Sequence, residues 1–190
     1  EQIAIYGLIT GPFTLSLHLL GSDIFLKMFE DPDGVNEVGA FCVEVAKQVC
    51  DMYRDFGADV IAVVDPMTSQ ISPEHFEQFV TPHVNEIFDH IHVRGLFGSM
   101  FVCGDATRNL EAMCRTHCDN VSVDENISLE QLKSLGDQFG KSVGGNLKLT
   151  TVLLMGTETD AKLDAIRCID TCGSEGFILA PGCDLPYDVP

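Results

Sequence analysis

Two cysteines, several acids and one amide stand where short apolar runs stop. Asp65 follows Asp59–Val64, and Cys103 with Asp105 follows Leu96–Val102. Asp124 and Glu125 follow Asn120–Val123, Asn146 follows Ser142–Gly145, and Cys183 with Asp184 follows Phe177–Ala180. If the runs are parallel strands, their C-terminal ends surround one mouth, where parallel α/β folds bind ligands. Asp and Asn also close turns and cap helices, which accounts for any single acid but not for two cysteines. Thiolates are good zinc ligands, and a catalytic zinc keeps three protein ligands and one open position. Cys103 and Cys183 would be two metal ligands. Asp65, Asp105, Asp184 or a histidine would have to be the third. Two free thiols are the alternative reading. Asp65, Asp124 and Asn146 are the candidate catalytic residues, suited to positioning a substrate or moving a proton.

Other reactive residue types have plainer readings. His75, His83, His90 and His92 follow Asp65 at spacings of eight, seven and two, which do not build a metal site on one helical turn. They read as surface or packing residues, and His117 as a helix-ending cation favoured by the dipole. Cys114 and Cys118, like Cys168 and Cys172, are four apart, one helix face each, and read as small buried hydrophobes. Gly144-Gly145-Asn146 lacks the spacing of a nucleotide-binding fingerprint. Met28, Met52, Met100 and Met113 fit core positions.

The strand-end residues need elements to hold them. Short, nearly continuous apolar runs alternate with longer segments of 3.6-residue period, the pattern of a parallel α/β fold. The first run, Ile3–Ile9, ends at Thr10-Gly11-Pro12, and Pro12 opens a helix with Phe13, Leu17 and Leu20 on one face. A long amphipathic helix over Val35–Phe56 carries Phe41, Val45, Val49 and Met52 on one stripe and stops at Gly57. Ser72 as N-cap, Pro73 and Glu74 start a helix that runs to His92. Further helices are expected over Leu110–His117, from Ser128 onward, and over Glu158–Cys172. Six strands result, which suit either an open doubly wound sheet or part of an eight-stranded barrel. A complete barrel takes about 250 residues.

The 190 residues form one domain, with no linker or low-complexity stretch. Eleven Lys and Arg against 29 Asp and Glu give a net charge of −18. That balance argues against nucleic-acid backbones and anionic membrane surfaces as partners. No apolar run reaches the roughly 18 residues of a membrane span. The opening residues from Glu1 and Gln2 lack signal-peptide logic, and the expected location is cytoplasmic.

Taken in order, these segments resemble the uroporphyrinogen decarboxylase superfamily, and within it the corrinoid-dependent methyltransferases. The resemblance rests on Gly11-Pro12-Phe13-Thr14-Leu15, Ala58-Asp59-Val60-Ile61 with Asp65-Pro66, and Ser72–Phe79 followed by Pro82. It continues through Cys103-Gly104, Val121–Asp124, Gly145-Asn146-Leu147, Gly176–Leu179 and Gly182-Cys183-Asp184-Leu185-Pro186. It implies a partial TIM (β/α)8 barrel holding strands three to eight, with the first two units absent. Open edges would then call for dimerisation or an added covering segment. In the methyltransferase branch, zinc held by a His-x-Cys motif and a later Cys activates a thiol for attack on a methyl-corrinoid. By that resemblance Cys103 and Cys183 match two zinc positions, and Phe101 stands where the histidine belongs. The implied partners are a corrinoid protein or methyl-corrinoid and a small-molecule methyl acceptor. The arginine-rich motif and the late histidine of the decarboxylase branch are absent. Three functions stay open: methyl transfer between a corrinoid and a thiol or other acceptor, decarboxylation of a porphyrinogen, and a non-catalytic member of the family.

Overall fold

The computed structural model describes residues 3–185, 187 and 189. Glu1, Gln2 and Pro186, used above, lie outside the described residues. Six strands form one sheet: β1 (Tyr6–Thr10), β2 (Val60–Val64), β3 (Phe97–Val102), β4 (Asn120–Val123), β5 (Ser142–Leu147) and β6 (Phe177–Pro181). Every neighbouring pair is parallel, and the order is β1-β2-β3-β4-β5-β6. A doubly wound sheet reverses its order at a switch point. This sheet never reverses, so it is an arc of a barrel.

Helices return the chain between strands. They are α1 (Pro12–Leu20), α2 (Ile24–Glu30), α3 (Pro32–Asp55), α4 (Pro73–Phe79), α5 (Thr81–Val93), α6 (Leu110–Arg115), α7 (Leu129–Phe139) and α8 (Glu158–Cys172). Their starts are written in the sequence. Ser72 Oγ accepts from His75 N, Ser128 Oγ accepts from Gln131 N, and Thr157 with Asp160 forms a reciprocal capping box. The core lies between sheet and helices, with Ile61, Phe76, Ile87, Phe88, Met100 and Met113 fully buried. Burying each such side chain stabilises the fold by about 1.5–3 kcal/mol.

Several expected elements are corrected. The helix expected from Pro73 to His92 is two helices, because Pro82 has no N–H to donate and its ring crowds the preceding turn. The buried face of α3 is Val35, Gly39, Cys42, Val43, Ala46 and Cys50, while Phe41 and Met52 are 61% and 59% exposed. The helix at Leu110 ends at Arg115, so Cys114 and Cys118 do not share a helix face, although both are buried. His117 lies beyond that helix and pairs with Asp89 at 2.7 Å. Strand β1 begins at Tyr6, and β5 runs on to Leu147. Helix α2 and a π-helical turn over Leu149–Leu154 were not anticipated.

Candidate active site at the strand ends

Cys103 follows β3 and Cys183 follows β6, 80 residues apart in sequence and three strands apart in the sheet. Their sulfurs meet at 3.1 Å, across the concave mouth of the arc. Both are partly exposed, whereas the other six cysteines are buried. Burial pushes the Cys103 thiol well up, and Cys183, Asp124 and Asp184 add to the shift. Each of these groups disfavours a negative charge on that sulfur.

Glycine makes the approach possible. A Cβ on Gly182 would sit 2.4 Å from the Glu125 backbone nitrogen, so only glycine lets the chain before Cys183 press against the β4 loop. Gly104 has φ +83, a conformation suited to glycine, and its N–H donates to Asp124 Oδ2 at 3.1 Å. Asp124 thereby fixes the turn that carries Cys103. Asn126 N donates to the other oxygen of the same carboxylate at 2.9 Å.

Asn146 supports this arrangement from β5. It is almost fully buried, and its Nδ2 donates to the carbonyls of Asp124 and Ile127 at 3.2 and 2.8 Å. Arg167 on α8 donates to Asn146 Oδ1 at 3.4 Å and to Asp164 Oδ1 at 2.7 Å. The two residues form a brace behind the mouth.

Asp65 has a different setting. It is wholly buried at the end of β2, and its carboxyl accepts from Phe13 N at 3.2 Å, Thr14 N at 2.7 Å and Thr14 Oγ1 at 2.5 Å. It is the anion at the positive end of α1. Burial nevertheless wins over these donors and raises its pKa to about 6. Gly11 is required beside it, because a Cβ there would lie 2.3 Å from the carboxyl carbon.

A cavity of about 350 Å³ opens at the ends of β1, β2 and β3. Thr10, Thr14, His18, Phe101 and Asp184 line it. Phe101 is two residues before Cys103 and Asp184 is one after Cys183, so the cavity shares the strand ends that carry the sulfurs, although neither cysteine lines it. Sequence reasoning missed His18 and Thr14 as mouth residues. Their only signal was the helix start at Pro12, which aims the first turns of α1 at the strand ends.

The donor set does not fit zinc. A catalytic zinc needs three protein ligands, and Cys103 and Cys183 would be two of them. Phe101 offers no lone pair, Asp65 is committed to α1, and Asp105 turns to Thr107 N at 3.1 Å. Among the described residues, no group of three His, Cys, Asp or Glu side chains could hold a metal ion.

Comparison with known proteins places the chain in a family. The family model "Uroporphyrinogen decarboxylase (URO-D)" matches residues 1–190. A methylcobamide:CoM methyltransferase, MtbA, of Methanosarcina mazei is 27% identical over all of this chain and 55% of its own length. A uroporphyrinogen decarboxylase of Carboxydothermus hydrogenoformans is 26% identical over 77% of this chain and 43% of its own. A solved methyltransferase structure from Methanosarcina mazei superposes with a TM-score of 0.89 at 23% identity, covering 100% of this chain and 56% of that one. The chain thus spans about half the length of the relatives it matches.

Proposed function

The chain belongs to the uroporphyrinogen decarboxylase family, and on that premise we propose that it forms the thiol-bearing half of a corrinoid-dependent methyltransferase. The observation that carries the proposal is the meeting of Cys103 and Cys183 at the mouth. Two soft nucleophilic sulfurs suit chemistry in which a methyl group leaves a corrinoid for a thiol or another acceptor.

In this reading a partner protein brings the methyl-corrinoid to the mouth. The acceptor enters the cavity beside Phe101 and Asp184. Cys103 and Cys183 contact the acceptor or the moving methyl group. Asp124 positions Cys103 through Gly104, Asn146 holds the Asp124 loop, and Asp65 holds α1 against the mouth. We assign these three a positioning role, since their polar atoms are occupied by backbone and side-chain partners within the protein. Eight free thiols suit a reducing, cytoplasmic setting.

Decarboxylation of a porphyrinogen is the second reading, prompted by the decarboxylases among the relatives. A substrate rich in carboxylates would meet Asp184 in a cavity whose lining has no Lys or Arg. The test is product analysis on the full-length protein. Methylcobalamin with a panel of thiols is expected to yield methyl thioethers. Loss of CO₂ from uroporphyrinogen without methyl transfer would reverse the assignment.

A further inference from the structure

The thiol pair at the mouth has geometry that methyl transfer alone does not call for. Its sulfurs are about 1 Å beyond disulfide bonding distance, and they come from strand ends 80 residues apart. Both residues are partly exposed, and among the described residues no group of three His, Cys, Asp or Glu side chains is placed to hold a metal ion. The remaining six thiols are shut in the core, where oxidants reach them poorly.

We propose that Cys103 and Cys183 form a redox-active dithiol, a modification site for small disulfides, that closes into an intramolecular disulfide across the mouth. Cys183, as its thiolate, attacks a small disulfide, RSSR, giving a mixed disulfide and an RS− that takes up the proton released from Cys183 as RSH. The second thiol attacks the protein-bound sulfur, forming the Cys103–Cys183 bond and releasing the second RSH. Two electrons leave the pair and reduce the oxidant, and the two thiol protons end on the two RSH molecules. A dithiol reductant reverses the sequence.

The neighbouring groups favour closure over a lasting mixed disulfide. Gly182 and Gly104 let the two turns approach, and the Asp124 bond to Gly104 N fixes one of them before reaction. At 3.1 Å the second sulfur is already next to the first, so the intramolecular step has a high effective concentration. The sulfur pairing is independent of the methyl-transfer reading. Only its consequence, silencing of both sulfurs, rests on that reading.

The experiment therefore reads sulfur chemistry directly. Full-length protein, wild type and Cys103→Ser and Cys183→Ser, is treated at pH 8 with oxidised glutathione, then alkylated under denaturing conditions and analysed by intact mass and peptide mapping. Relative to the reduced and alkylated control, wild type is expected to carry two fewer alkyl groups and to give one cross-linked peptide joining Cys103 to Cys183, reversed by dithiothreitol. Each single variant is expected to stop at one glutathione adduct, about 305 mass units heavier. Retained free thiols, stable glutathione adducts in wild type, a different cysteine pair, or one equivalent of bound zinc that survives the oxidant would each overturn the proposal.

Discussion

At the residue scale, the most informative group is Asp65, because its environment pulls in two directions. Three donors at the start of α1 favour the carboxylate, while complete burial favours the acid and wins. A folded pKa near 6 against 3.8 for the free side chain means that folding prefers the protonated form. The contribution is fully present below about pH 4 and is lost as pH rises through 6, a change of about 3 kcal/mol. Asp65→Asn keeps the shape but sets an NH₂ against donors, which costs about 1–3 kcal/mol. In urea unfolding, its stability deficit relative to wild type is expected to shrink between pH 4 and pH 6.5. A deficit that stays flat or grows would contradict this setting. Asp65, Cys103 and Cys183 were legible as strand-end residues. Thr14 and Gly11 were not, because their contact with Asp65 spans more than fifty positions and exists only once β1 and β2 pair.

At the element scale, helix and strand starts were readable because capping is local. Ser72, Ser128 and Thr157 each bond within three residues. The buried face of α3 was misread for a physical reason. Its buried side uses Gly39, Cys42, Ala46 and Cys50, small residues that admit neighbouring helices, Gly39 against His83 of α5 and Cys42 against Ser16 of α1, while large Phe41 and Met52 stay outside. A reading weighted towards bulk chooses the wrong stripe. Close approach also governs β3 against α5, where a Cβ on Gly98 would lie 2.4 Å from the buried Phe88 ring. Gly98→Ala is expected to destabilise the protein by about 1–3 kcal/mol through overpacking. Adding Phe88→Leu is expected to recover part of that loss. Equal stability of wild type and Gly98→Ala in thermal and urea unfolding would argue against so tight a contact.

At the scale of the whole molecule, β1 and β6 are each paired on one side only among the described residues, so the sheet is an arc with two edges. Ile5 and Leu8 at the β1 edge are 55% and 58% exposed, and Ile178 and Leu179 on β6 are 38% and 40% exposed. Edges of this kind recruit another chain or a covering segment. We propose that the 190-residue chain, expressed by itself, self-associates, with a dimer as the simplest product. Sedimentation velocity at tens of micromolar checks this, and a stable monomer would speak against it. No helix among the described residues is long and apolar enough to cross a membrane. The barrel arc was legible from strand–helix alternation and segment order, but the choice between arc and doubly wound sheet needed the strand order itself. The central claim joins all three scales, since the arc exists to bring two distant sulfurs to one mouth. Its most direct measurement is the single-turnover rate of methyl transfer from methylcobalamin to a thiol by reduced full-length protein, comparing wild type, Cys103→Ser, Cys183→Ser and the double variant. The two sulfurs acting as one unit predicts that each single variant loses on the order of 100-fold and that the double variant is no slower than either. Single variants within about twofold of wild type would show that the thiol pair does not carry the reaction.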